Sequence, residues 1–390
     1  MPIPSPTISI NSLPTQTDAA STADSGIETK EYSLGYIPAL DGLRAISILL
    51  VLAFHDIGPV TSEFGHKFNG WIGVDVFFVI SGFLITSILL KEGKQHAGEF
   101  SLRKFYTRRW LRIAPVYYAF LLVVAAWHFW GGNHHIKPFI CAALYLTNLD
   151  LAFSWNLIPL KLGISHLWSL GLEEQFYLVW PACLKFVKQK AIPFVSAIIA
   201  IVYCWRLYLV AHGASWIRLV HGFDTKVDTI MIGVLMALLL ANPAVKARLS
   251  KVFSHWILQP ILFGLTFWSF NLLGHPMNGG LSDQLFFWGV KLPAATILIT
   301  SLLLSVLFNP KALVASALAN PVAVFIGKLS YSLYLWHPLV HSIYCGLYWD
   351  YFCKHGPKAE LYQYLWIFAV ACASYYLIER PFLKLKTKFS

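Results

Sequence analysis

The chain has 390 residues, 57% of them hydrophobic and 13% charged, against roughly 25% charged in soluble domains, which excludes an ordinary soluble globule. The formal net charge of +11 does not point to nucleic acid, because most Lys and Arg residues fall between apolar runs, where the positive-inside rule places them. The six cysteines show no metal-ligand spacing and mostly lie inside apolar runs, so they read as small buried residues.

Residues 1–35 are rich in Ser, Thr and Pro and lack an apolar core, which predicts a disordered cytoplasmic extension and not a signal peptide. From residue 36 the apolar residues come in runs of about 20, the length that crosses a bilayer. Helices are the expected element, because lipid offers backbone groups no partner and the runs lack barrel-type alternation. Ten spans are predicted, near 37–55, 71–90, 112–130, 167–185, 191–211, 227–242, 256–273, 284–308, 321–345 and 361–379. The basic segment 91–112 orients them with both termini cytoplasmic, and the shorter apolar stretch 138–153 is expected to lie in or re-enter the outer face. The expected fold is therefore an all-α polytopic bundle in the inner (plasma) membrane. A single membrane domain over 36–382 is followed by a basic tail over 383–390.

Charges at membrane depth are expensive and mark functional sites. Arg44 and His55 are eleven residues apart in the first span, about 20° beyond three full turns, so they share a helix face with an axial offset of about 16 Å. That spacing puts Arg44 in the inner half and His55 near the outer end. Asp75 opens the second span, Glu173 and Glu174 lie in the fourth and Asp228 in a later one. This topology predicts that these carboxylates converge with His55 on one outer-half cavity. On the cytoplasmic side Arg109 and Arg112, three apart, present two guanidinium forks on one face, suited to phosphate. His66, His134 and His135 fall in outer loops without a ligand-like arrangement, and no metal is expected.

Several long motifs then carry a resemblance over about 36–382. They are Tyr36 to Ala45, Phe77-Phe78-Val79-Ile80-Ser81-Gly82-Phe83, Arg109 to Pro115, His166-Leu167-Trp168-Ser169-Leu170 with Glu173-Glu174-Gln175-Phe176-Tyr177, Ser330 to Pro338, and Glu379-Arg380-Pro381. In these the chain resembles the membrane acyltransferase-3 family, which modifies cell-surface polysaccharides, peptidoglycan or secreted metabolites. The resemblance implies that His55 is catalytic, separated by ten residues from the basic Arg44, and that Arg109 and Arg112 bind acyl-CoA, expected to be acetyl-CoA, a co-substrate and not a resident cofactor. Two departures stand out. Lys226 stands where relatives often carry Arg, leaving the partner of Asp228 open. The chain stops eight residues after Phe382 without an esterase-like domain, so transfer is expected to finish in the membrane unit or on another protein.

The expected reaction moves an acyl group from cytoplasmic acyl-CoA to a hydroxyl of a surface or exported carbohydrate. His55 acts as general base or acyl carrier, oriented by Glu173, Glu174, Asp56 or Asp75. Arg44 holds part of the donor, and Asp75, Asp228 and His337 are assigned to the acceptor. His337 also stands ready to satisfy the carbonyl that Pro338 frees, and Glu379 is expected to pair with Arg380 at the inner interface. A secondary transporter is the rival class, weakened by the absence of a paired hydropathy repeat. A non-catalytic envelope scaffold is the other rival.

Overall fold

The computed structural model describes residues 36–55, 61–96, 99–132, 134–159, 162–274 and 279–386. The expected tail over 1–35, the end of the basic tail and Asp56 lie outside the described residues.

Every regular element among the described residues is helical. Helix α1 (Pro38–His55) leads into a short α2 (Thr61–Lys67) and then α3 (Gly73–Gln95), joined to α2 by a single 3₁₀ turn over Gly70–Ile72. Ser101 caps α4 (Leu102–Trp130), its hydroxyl accepting the Lys104 N–H at 3.3 Å. Two seven-residue helices follow, α5 (Lys137–Ala143) and α6 (Thr147–Phe153). Each is about 10 Å long, against a hydrocarbon core of about 30 Å. Segment 138–153 therefore does not cross as a single helix.

The next pair, α7 (Trp168–Val187) and α8 (Ala191–Ala211), is continuous but for a tight turn over Lys188–Lys190. Short α9 (Trp216–His221) precedes α10 (Phe223–Leu240). Asn242 caps α11 (Pro243–Phe253) by accepting the N–H groups of Ala244 and Val245. Helices α12 (Leu258–Leu273), α13 (Leu281–Phe286), α14 (Leu292–Phe308) and α15 (Leu313–Leu318) come next. The 35-residue α16 (Pro321–His355) and α17 (Pro357–Ser374) follow, with a π-turn over Tyr375–Glu379 leading into α18 (Arg380–Lys386).

Among the described residues six helical segments are long and apolar enough to cross a membrane, and seven if α10 and α11, bent by 108°, count as one. The protein is thus a multi-pass membrane protein. The difference from ten lies partly in α12, which has 16 residues, and in Ser165–Ala211, whose 47 residues register as one stretch.

Two close approaches position the site. Helix α1 touches α15 and α16 backbone to backbone: a Cβ on Gly327 of α16 would clash with the Asp41 carbonyl, and one on Gly42 with that of Leu318 at the end of α15. Glycine lets α16 lie against α1 along the length that carries Arg44 and His55. Second, α2 and the 3₁₀ turn fold back along α1, so that α3 begins beside the middle of α1, with no room for a Cβ on Gly73 next to the Ser47 carbonyl. Ser47 is eight residues, about 12 Å, from His55. Asp75 accordingly lies at mid-length of α1 and not beside its histidine end.

A side chain at position 327 must push α16 off α1. Gly327→Val is expected to lower the apparent melting temperature of the detergent-solubilised protein, with an overpacking penalty of roughly 1–3 kcal/mol. Gly346→Ala on the same helix, where a Cβ meets open space, should melt with the wild type. Equal melting of all three proteins would contradict the contact.

Candidate active site

Polar residues of the core gather at two levels of α1 and in one separate cluster. At the C-terminal end of α1 three histidine rings lie side by side, with His66 and His341 also within electrostatic reach of His55. The exposed His55 ring lies 5.3 Å, centre to centre, from His337 on α16, and His337 lies 5.5 Å from His166, just before α7. His337 and His166 are buried, at 3% and 5% exposure.

Hydrogen bonds fix the protonation of two of these rings. His55 Nδ1 is 2.8 Å from the Val51 carbonyl, one turn back in its own helix. His337 Nδ1 is 2.8 Å from the Tyr334 carbonyl, which has no helical partner because residue 338 is proline. A carbonyl oxygen only accepts, so Nδ1 carries the hydrogen in both rings and Nε2 carries the lone pair. The reading of His337 as a partner for the carbonyl freed by Pro338 is thus met, and it leaves the other nitrogen of that ring available. No carboxylate among the described residues bonds to His55. The expected orienting role falls instead to the Val51 backbone.

About ten residues deeper lies the arginine layer. Arg44 is held by Asp41 at 3.1 Å, whose other oxygen accepts the Tyr36 hydroxyl at 2.7 Å. Arg109 stacks over the Tyr177 ring, 3.5 Å from its centre, and is shared by Glu174 at 3.6 Å and Glu173 at 4.0 Å. Glu173 also accepts the Ser81 hydroxyl at 2.7 Å. Arg112 lies within electrostatic reach of Arg44, Arg109 and Glu379 and makes no ion pair among the described residues. The π-turn places buried Glu379 against Ser332, whose hydroxyl donates to it at 3.0 Å. Arg380 points instead to the Tyr376 ring, so the expected Glu379–Arg380 pair does not form. Three guanidinium groups from α1 and α4 thus meet at one level, two of them engaged and Arg112 open.

The carboxylates expected beside His55 divide differently. Glu173 and Glu174 sit five and six residues into α7, while His166 precedes it. Seven residues of rise, about 10 Å, carry Glu173 from the histidine layer to the arginines. Asp75 and Asp228 belong to the third cluster. Lys226 lies 2.6 Å from Asp75, and Arg206 lies 2.8 Å from Asp228 and also donates to the Thr225 carbonyl. All four charged residues are 5% exposed or less. The single outer cavity expected from sequence is therefore replaced by three sites, because α3 starts at mid-length of α1 and α7 runs away from the histidines. The open partner of Asp228 is Arg206, a lone arginine in the apolar run of α8 whose position was itself the signal. Tyr177 and His166 also escaped assignment, although both lie in the motif that contains Glu173 and Glu174.

Two charges of each sign balance in this network. Asp75→Asn leaves a buried ammonium without its counter-charge, at a cost of about 3–5 kcal/mol. A clear drop in melting temperature is expected, mostly recovered in Asp75→Leu/Lys226→Met. A double variant no more stable than the single one would contradict the pairing.

The profile of a family described as an acyltransferase domain matches residues 37–380. A putative O-acetyltransferase of Staphylococcus aureus (strain COL) is 32% identical over 377 residues, covering 91% of this chain and 59% of the relative. The peptidoglycan O-acetyltransferase OatA of Listeria monocytogenes is 29% identical over 329 residues, covering 79% of this chain and 50% of the relative. The O-acetyltransferase OatA of another S. aureus strain is 31% identical over 332 residues, with 79% and 51% covered. This chain spans 59% or less of the length of these relatives. No solved structure gives a significant match. The chain belongs to the acyltransferase-3 family of membrane acyltransferase domains.

Proposed function

We propose that the protein transfers an acetyl group from acetyl-CoA to a hydroxyl of a cell-surface carbohydrate, across the membrane it spans. The observation that carries this reading is one helix face with Arg44 in a three-arginine layer and, about 16 Å along, His55 with a free Nε2.

The arginine layer suits the phosphates of a nucleotide donor. Guanidinium forks bind phosphate in a bidentate manner, and Arg112 has no competing ion pair among the described residues. The narrow arm of coenzyme A then runs along α1 and brings the thioester to the histidine layer. There His55 Nε2 takes the proton of the acceptor hydroxyl as its oxygen attacks the thioester carbonyl carbon. A C–O bond forms, the C–S bond breaks, and the proton on Nε2 passes to the departing thiolate to give free coenzyme A. The Val51 carbonyl stabilises the imidazolium through Nδ1–H, as a carboxylate does in other histidine bases. Peptidoglycan, the substrate named for the Listeria relative, supports an envelope glycan as the acceptor class.

This assignment places the arginine layer toward the cytoplasm and the histidine layer toward the outside, with both termini inside an inner (plasma) membrane crossed ten times. Ser165–Ala211, at 47 residues, is about 70 Å long if straight, enough for two passes. The left-handed Lys188 (φ 42°) marks the turn between them.

Radiolabelled acetyl-CoA supplied to membranes is expected to label envelope glycan with the wild type. His55→Ala should lower labelling by about 10²-fold or more, the usual contribution of a positioned base. Arg112→Met should chiefly raise the acetyl-CoA KM. Full labelling by His55→Ala would overturn the reading, and substrate accumulation without label on glycan would favour a transporter.

A further inference from the structure

The histidine layer contains more than one base requires. His337 keeps its Nε2 lone pair, the atom is buried, and no protein group donates to it among the described residues. The hydroxyl of Tyr334, whose ring centre lies 5.9 Å from that of His337, already donates to the His166 carbonyl at 2.6 Å and touches Ser169 Oγ at 2.7 Å. His166 adds a third ring. The backbones of Gly163 and Leu335 approach it without completing a hydrogen bond. Carbonyls, moreover, cannot serve the lone pair that a neutral imidazole must keep. A buried acceptor without a donor is destabilising and in native proteins calls for an explanation.

Two Nε2 acceptors cannot bond to each other, since neither carries a hydrogen. With the two rings 5.3 Å apart, a ligand that carries two adjacent donors can serve both. We propose that His55 and His337 read two neighbouring hydroxyls of the acceptor, so that the site takes a vicinal diol, as on a pyranose ring, in preference to an isolated hydroxyl. His55 Nε2 accepts from the hydroxyl that is acylated and His337 Nε2 from its neighbour, with buried His166 behind them. The inference rests on the acetyl-transfer reading and adds to it the class of acceptor. A competing occupant is one water molecule that donates to both rings, which would give no such selectivity.

The test uses the full chain in detergent with radiolabelled acetyl-CoA and two six-membered-ring probes, cyclohexanol and trans-1,2-cyclohexanediol, with ester formation as the readout. The wild type is expected to favour the diol by roughly tenfold or more per hydroxyl, since sites built to bond a hydroxyl discriminate against analogues lacking it. In His337→Ala the ratio should fall toward one, with the loss appearing mainly in the KM for the diol, and His337→Gln, which keeps an acceptor oxygen, should restore part of it. Equal wild-type rates per hydroxyl would overturn the inference whether or not the variants fold. Absence of ester with either probe would overturn the acetyl-transfer reading itself.

Discussion

Everything in the proposed chemistry hangs on α1 behaving as a rigid ruler. A helix rises 1.5 Å per residue and turns 100°, so the offset of eleven positions from Arg44 to His55 fixes both their common face and their separation. The rest of the bundle holds that ruler in place. Glycine contacts fasten α15 and α16 against it, α2 and the 3₁₀ turn fold back along its C-terminal half, and α4 and α7 bring Arg109, Arg112 and the paired glutamates to the level of Arg44.

Among the described residues, backbone carbonyls and not carboxylates set the state of His55 and His337. Val51 and the carbonyl freed by Pro338 each bind an Nδ1–H and so leave a basic nitrogen on the other side of the ring. A carboxylate beside His55 would bring another charge into the layer, whereas a carbonyl orients the ring at no charge cost. The acidic residues that the helices carry are used elsewhere. They balance the half-buried Arg109 and the buried Lys226 and Arg206, the last two of which would otherwise be costly buried cations.

Much of this was legible in the sequence. Apolar runs located every long helix, and the helical period put Arg44 and His55 on one face. What failed was depth. The apolar pattern puts Asp75 near the outer boundary, where its span would begin, but the segment before it folds back to the middle of α1. Glu173 and Glu174 were assigned to His55, yet seven residues of helix separate them from His166. Partners across helices, such as Arg206 with Asp228 or Tyr177 with Arg109, depend on which faces meet, and no periodicity within one helix contains that information.

The most direct test of this two-level site is a structure of the protein with a non-transferable acyl-CoA analogue. The account predicts the diphosphate against Arg44, Arg109 and Arg112, with the thioester mimic at His55 and the arm lying along α1. A nucleotide bound beside the histidines, or on a face of the bundle away from α1, would contradict it.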